Sequence, residues 1–474
     1  MSVVYEFLTG ESIRIGSLNL VCNVDGELGS GTQGKVYSII CPDNSSLVLK
    51  WYFPSMSSAE QLEILGQLVA KQPPSDRFLW PLTVVSIPRK EGFGYVMQLK
   101  ESRFKSFSLW LSRKVEPSFK TLLTACFELA QSFHFLHSMG LCYRDLSLNN
   151  IYFDPKTGEI RIGDTDNIVV NGENKGSIIG TPKFMAPEII TGKSLPDTQS
   201  DLFSLAVILF YILFLNHPLE GKKESSIKSL DLPAMAKLYG SEPLFIFDPD
   251  DDSNYPDPVF HKNALIFWNI YPQFFKKYFI RAFTHGIRDP LHGRVRETEW
   301  QNALCVLKDL ICYCSNCGQE NFFLLPELME FELKDVKKEN ASPLGNINSE
   351  KLCNSGNIHN YMNQYCWNQR CHSKIQRQFY LKINEKTIVV LNHNTKLYPH
   401  HVHPVKKYDF STPVAEVSKH PLNPEIWGLR NLSDRVWSVT NNNNVSLEVG
   451  HGKSVKLSIG TLIDFGNTVG HVCY

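Results

Sequence analysis

The chain lacks any apolar run long enough to cross a bilayer. Spanning takes about 18–20 consecutive apolar residues, and the longest candidate, Leu202 to Leu215, falls short of this and reads as a buried helix. An excess of either charge is also missing: 48 lysines and arginines balance 48 aspartates and glutamates. Nucleic-acid binding ordinarily calls for a basic face, so this balance removes the usual support for that class. Met1 to Leu8 has no basic stretch leading into an apolar one, which points away from secretion. The expectation is a cytoplasmic chain with no membrane and no nucleic-acid partner. Cysteine is not scarce, with twelve in 474 residues. Without a secretion signal these read as reduced thiols or metal ligands rather than disulfides. At about 100–200 residues per domain, the length allows two to four domains.

Ile13, Ile15, Leu18 and Leu20 alternate as a strand does. Gly29-Ser30-Gly31-Thr32-Gln33-Gly34-Lys35-Val36 follows, then a returning strand to Ile40 and a turn at Cys41-Pro42-Asp43-Asn44. A third strand, Leu47 to Tyr52, carries Lys50. A Walker phosphate loop would end in Gly-Lys-Ser/Thr and open a helix, whereas Gly34-Lys35 leads into Val36 and a strand. Glycines so placed let backbone amides approach phosphates. Further on, Tyr143-Arg144-Asp145-Leu146-Ser147-Leu148-Asn149-Asn150 follows an apolar helix, Leu122 to His137. Asp164 comes after the alternating Ile160-Arg161-Ile162, and Gly180-Thr181-Pro182-Lys183-Phe184-Met185-Ala186-Pro187-Glu188 comes next.

In that order, these segments make the first two-thirds of the chain resemble a eukaryotic-type protein kinase. The resemblance implies an α+β, bilobal fold over residues 10–310, with a small lobe to about 98 and a larger one from about 99. It implies ATP and Mg²⁺ as cofactors and a protein substrate accepting phosphate on Ser or Thr. Gly29, Ser30, Gly31, Thr32, Gln33, Gly34 and Val36 would cover the phosphates, and Lys50 would pair with them. Met97 and Leu99 would border the adenine, with backbone groups of Gln98 to Lys100 in reach. Asp145 would serve as the base or orient the acceptor, while Asn150 and Asp164 would hold Mg²⁺. Thr181 would bond Asp145, Glu188 would pair with Arg294, and Asp201 would hold the backbone of the catalytic loop. Arg144 would offer a cation to a phosphorylated Ser177. His134 and His137 read as structural or exposed.

A kinase also needs a carboxylate on the helix after the third strand to hold the lysine. In the segment 56–70, Glu60 has Ile64 and Leu68 beside it, on the edge of the buried face. Glu63 faces Gly66, Gln67 and Ala70, so Glu60 is favoured. Three departures stand out: Tyr143 for His, Ser147 for Lys, and Asp164-Thr165-Asp166 for Asp-Phe-Gly. Asp166 is expected to add negative charge beside the metal. Retention of Lys50, Asp145 and Asp164 favours an active enzyme over the alternative, a nucleotide-binding pseudokinase scaffold.

The Asp-x-Asp triplet, Pro243 to Pro249 and Trp268 to Trp300 further resemble bacterial stress-associated kinases of the tellurite-resistance type. That resemblance implies partner proteins, namely a phosphatase of the metal-dependent 2C class and a von Willebrand A-type protein, and a zinc ribbon after the kinase domain. Within 311–377, Cys314 and Cys317 have C-x-x-C spacing and Cys366 and Cys371 form a second pair, giving four candidate Zn²⁺ ligands. His372 could replace one thiol, and Cys312 could compete with Cys314. Residues 335–360, rich in Lys, Asn and Ser, read as an inserted loop. From 378 to 474, short strands with Asn- and Gly-rich turns suggest a β-sandwich. Leu429-Arg430-Asn431-Leu432-Ser433 and Ile463-Asp464-Phe465-Gly466 resemble the second half of a forkhead-associated domain, without that family's phosphothreonine-binding pattern. Pro399 to His403 reads as a loop with incidental histidines.

Overall fold

The computed structural model describes residues 6–88, 90–173, 180–324, 364–384 and 387–474. Ser177 and the stretch 335–360 lie outside the described residues. The chain divides into two compact units, Met1–Trp268 with Lys276–Gln301, and Asn269–Phe275 with Asn302–Tyr474. The boundary expected at 377/378 does not separate two units. Leu310, Cys312, Cys314, Cys366 and Ile375 share one apolar cluster with Tyr380, Ile388 and Val390, so the thiol-bearing segment packs on the strands that follow it.

The first unit begins with a six-stranded antiparallel sheet. Its strands are β1 (Ser12–Ile15), β2 (Leu20–Ser30), β3 (Gly34–Ile40), β4 (Ser46–Tyr52), β5 (Thr83–Val85) and β6 (Gly94–Gln98), in the order β1-β2-β3-β4-β6-β5. Strand β4 lies centrally, and its residues Val48 to Tyr52 are all buried. Alternate side chains point to opposite faces. Leu49 and Trp51 join the core with Ile13, Val24 and Ile39, while Val48 and Tyr52 join Leu65, Tyr95 and Met97 on the other face. Period two therefore sends Lys50 to the face shared by Tyr52 and, through the Lys50–Tyr95 register pair, by Tyr95.

Helix α1 (Ala59–Val69) covers that second face. Ser58 caps it by accepting from the Gln61 amide, and its buried positions are Gln61, Ile64, Leu65 and Leu68, the i, i+3, i+4, i+7 stripe. Glu60 sits in the first turn and is exposed, a site where a carboxylate complements the helix dipole.

Two long helices organise the larger lobe, α2 (Phe119–Ser138) and α3 (Thr198–Phe214). Asp197 and Ser200 cap α3 reciprocally, and the helix is buried almost all round. Among the described residues no helix is long and apolar enough to cross a membrane.

The second unit holds a β-sandwich. One sheet has six strands in the order Thr387–Val390, Tyr380–Ile383, Val469–Cys473, Leu462–Asp464, Trp437–Thr440 and Ser446–Val449. The other has four, Lys396–Leu397, Ala415–His420, Asn423–Asn431 and Ser454–Lys456. Leu381, Trp437, Ile463 and Val472 from the first sheet meet Leu397, Ala415, Leu429 and Val455 from the second in one core. The histidine-rich stretch is a short helix, Pro399–Val402, rather than a loop. His401 is buried 3.3 Å from Asp309 and accepts from the Tyr398 amide at 2.8 Å, so it closes the helix start.

Candidate active site

The glycine-rich segment forms the β2–β3 hairpin, closed by Gly31 N–H donating to Gly34 C=O at 2.9 Å. A Cβ on Gly34 would lie 2.1 Å from the Trp51 carbonyl oxygen, so no other residue fits there. The side chain of Gln33 turns inward, accepting from Lys50 Nζ at 3.1 Å and donating to Asn167 Oδ1 at 3.0 Å. Val36 lies opposite Lys50 in the β3–β4 ladder. Met97 is buried on β6 opposite Val48, and Leu99 follows the strand exposed.

Lys50 is where the structure departs most from the expectation. Its ammonium lies 2.8 Å from Asp166 Oδ2 and 3.0 Å from Asp166 Oδ1, and 3.3 Å from Asp164 Oδ1. Glu60 does not meet Lys50. Glu60 lies at the exposed start of α1, where its charge acts on Arg144, and the helix presents Gln61 instead. Gln61 Nε2 donates to the Asp166 carbonyl at 2.9 Å and to the Tyr52 hydroxyl at 3.2 Å. Nor is Asp166 beside a metal-facing opening: its side chain is fully buried and also accepts from the hydroxyls of Tyr52 and Tyr95, the latter at 3.0 Å. Burial alone would push the Asp166 carboxyl up. The charge of Lys50 and these donated bonds outweigh it and hold the group below the ordinary carboxylate range. For Lys50, burial works downward, but Asp166 and Asp164 win and the ammonium is raised. Exchanging Glu60 for glutamine should accordingly leave phosphoryl transfer within about twofold of the parent, checked by steady-state rates.

The catalytic loop is assembled around Asp145 and Asp201. Asp145 Oδ1 accepts from Thr181 Oγ1 at 2.8 Å, and Asn150 Nδ2 donates to the Asp145 carbonyl at 2.9 Å. Burial, the largest influence, raises the Asp145 carboxyl above its ordinary value, with Asp164 adding to the rise. Asp201, buried in α3, accepts from the amides of Tyr143 at 2.6 Å and Arg144 at 2.9 Å, which fixes the loop backbone. The Tyr143 hydroxyl donates to the Gly163 carbonyl, linking the loop to the Asp164 segment. Asp164 itself takes a left-handed backbone (φ 43°), and its side chain is 47% exposed, open to a ligand. Thr165 replaces the expected Phe and is anchored to the Leu79 carbonyl at 2.8 Å. Arg294 donates to Glu188 at 2.6 Å, bringing that distant pair together.

His137 is structural, its side chain 10% exposed. It bridges Asp201, at 3.1 Å, and Glu297. Burial lowers its pKa, but the two carboxylates overcome this and raise it from 6.5 to about 9. A raised folded-state pKa gives stability that is complete below pH 6.5 and lost as pH climbs through about 9. Thermal melts should show a loss on the order of 3 kcal/mol across that window. The slope should vanish in His137→Gln; an equal slope in both proteins would refute the assignment.

A second cluster lies in the other unit. The Sγ atoms of Cys314, Cys317, Cys366 and Cys371 all fall within 4.8 Å of one another, with Cys314–Cys371 at 3.7 Å and Cys317–Cys366 at 3.6 Å. Four thiolates on a tetrahedral zinc with bonds of about 2.3 Å would stand about 3.8 Å apart, so the cluster fits that ion. Ser373 bonds Cys371 Sγ at 3.3 Å and Asn316 Nδ2 donates to it at 3.3 Å, and these bonds, that of Ser373 foremost, lower the Cys371 thiol from 9.0 to about 6. Cys312 is buried outside the quartet, and His372 stacks on Tyr365 instead of joining it.

Residues 22–259, half of the chain, match the family described as the protein kinase domain. The chain belongs to the protein kinase family. Among curated proteins, this kinase is 29% identical over 181 residues to "Protein kinase MCK1" of Saccharomyces cerevisiae, a match covering 38% of this chain and 46% of the relative. It is 34% identical over 104 residues to "Dual serine/threonine and tyrosine protein kinase" of Homo sapiens and of Danio rerio, covering 22% of this chain and 11% of each relative. The kinase thus matches less than half of the length of these relatives.

The residues missed by sequence reasoning are Gln61, Tyr52 and Tyr95 around the lysine. The available signal was strand parity: Tyr52 stands two positions after Lys50 and must share its face.

Proposed function

We propose that this kinase transfers the γ-phosphate of ATP, in the presence of Mg²⁺, to serine or threonine hydroxyls of a protein substrate. The observation that carries this reading is the Thr181–Asp145 bond at 2.8 Å, which aims a raised carboxylate at the acceptor position while Lys50 stands at Asp164. Thr181 fixes the Asp145 carboxylate. Asp145 orients the acceptor hydroxyl and takes its proton, a role suited to a carboxyl raised by burial. Lys50 binds phosphate oxygens, and the β2–β3 hairpin excludes water above them. Asp164 and Asn150 offer the hard oxygen donors that Mg²⁺ prefers. The Asn150 amide nitrogen is engaged on Asp145, so its oxygen is the atom suited to a cation. When bound, Mg²⁺ supplies charge cancellation on the phosphates. Ser147 is buried and uncharged, so it brings no positive charge to the transferred phosphate.

In the second unit, the four cysteines hold one structural zinc, and the sandwich, forkhead-associated-like in its strand pattern, recruits partners. A 2C-class phosphatase and a von Willebrand A-type protein are the proposed partners, and the setting is a cytoplasmic stress response. A phosphorylated Ser177 facing Arg144 is the proposed activating mark.

Incubation of the pure protein with labelled ATP, Mg²⁺ and a mixed peptide library tests the central reading. Wild type should label serine and threonine, and Asp164→Ala should not. Equal labelling of the two would leave only a nucleotide-binding scaffold.

A further inference from the structure

The ammonium of Lys50 has three N–H donors and meets three acceptors: Gln33, Asp164 and Asp166. They are not equivalent. Gln33 rides on the glycine-rich hairpin, and the Asp164 side chain is 47% exposed, so an incoming phosphate can replace the first as an acceptor for Lys50 and share the ammonium with the second. Asp166 is wholly enclosed and can be displaced by nothing from solvent. Its two oxygens are taken by Lys50, Tyr52 and Tyr95, and its carbonyl by Gln61. Helix α1 contributes an amide to this cluster and no charge. The negative charge that balances the lysine therefore comes from the segment bearing Asp164.

We infer that Asp166 is the positioning residue that holds Lys50 for phosphate binding, in place of a carboxylate on helix α1. Gln61, Tyr52 and Tyr95 fix the Asp166 carboxylate in turn. The inference rests on the kinase reading above and deepens it.

The test compares wild type, Asp166→Asn and Asp166→Asn/Gln61→Glu. Each is measured for kcat with ATP and Mg²⁺, for affinity to a fluorescent ATP analogue, and for melting temperature. Asn keeps the shape of the buried group and removes its charge. Asp166→Asn should lower kcat about 10²-fold and weaken analogue binding about fivefold or more. Placing a carboxylate on α1 through Gln61→Glu should recover at least about tenfold of the lost rate, which a merely structural role for Asp166 would not produce. A rate for Asp166→Asn within about threefold of wild type overturns the inference. So does a fall in rate that Gln61→Glu leaves untouched while adding Lys50→Met costs as much as it does in wild type, since that additivity places Asp166 outside the lysine's action. Should Asp166→Asn not fold, the double variant decides: at least about a tenth of wild-type rate supports the inference, and less than about a hundredth overturns it. If wild type binds the analogue but labels no protein, the kinase reading fails while the affinity series still judges Asp166. If wild type does neither, both fall.

Discussion

Asp145→Asn is expected to lower phosphoryl transfer by about 10²–10⁴-fold while nucleotide affinity stays within a few-fold. The substitution preserves shape, so Thr181 Oγ1 still finds an oxygen at the same place and the Asn150 bond, made to the backbone carbonyl, is untouched. What disappears is the ability to take a proton. Because burial raises the carboxyl above the ordinary aspartate value, the wild-type rate should also decline on the acid side at a pH above that value. The acid limb should be missing from the residual activity of Asp145→Asn. A residual rate with an unchanged limb would assign the titration to another group.

Removing the proposed zinc should have the second-largest effect, on stability rather than rate. Structural zinc releases about 10–16 kcal/mol of apparent binding energy in zinc-finger peptides, much of it appearing as folding energy. Here the quartet closes one end of an apolar cluster containing Leu310, Ile375, Tyr380 and Val390, and the hairpin of Ile311–Tyr313 with Glu320–Phe322 leads directly into it. Cys366→Ser should reduce bound zinc from about one per chain to far less and lower the stability of this cluster by several kcal/mol. Hydrogen exchange should show protection lost in that hairpin. It should be retained in Trp437–Thr440 and Leu462–Asp464, whose packing belongs to the separate sandwich core. Wild-type protein purified without chelator and carrying no zinc would end the proposal.

The residues that converge from afar were legible through the resemblance to protein kinases. Thr181 with Asp145, Glu188 with Arg294, and Asp201 with the catalytic-loop backbone all meet in the structure. Each occupies a position that matches a motif of that family, and each gives a buried polar group its partner. Zinc-type thiol spacing similarly brought Cys314 and Cys317 to Cys366 and Cys371 across 49 positions of chain between Cys317 and Cys366.

The partner of Lys50 was not legible for a physical reason. Apolar periodicity identifies the buried stripe of α1, but Gln61 belongs to that stripe while being polar. A pattern built on hydrophobic residues reads such a position as solvent-facing. Glu60, one residue earlier, was favoured because Ile64 and Leu68 follow it at i+4 and i+8, which put it on the edge of the buried face. With the helix beginning at Ala59, its carboxylate belongs to the first turn. Asp166 was visible as a departure from Asp-Phe-Gly. Its burial depends on tyrosines contributed by β4 and β6, which only the register of the sheet brings together.

Placing Asp164 and Asp166 on one short turn couples two things that a helix-borne carboxylate would keep separate. The carboxylate proposed to bind Mg²⁺ and the anchor of the lysine are joined by one intervening residue, Thr165, whose hydroxyl is tied to Leu79. A rotation of that turn would withdraw both negative charges from the nucleotide site together, and its return would restore both. Nucleotide and Mg²⁺ should therefore bind with strong mutual dependence, read as a gain in the affinity of each when it is titrated in the presence of the other.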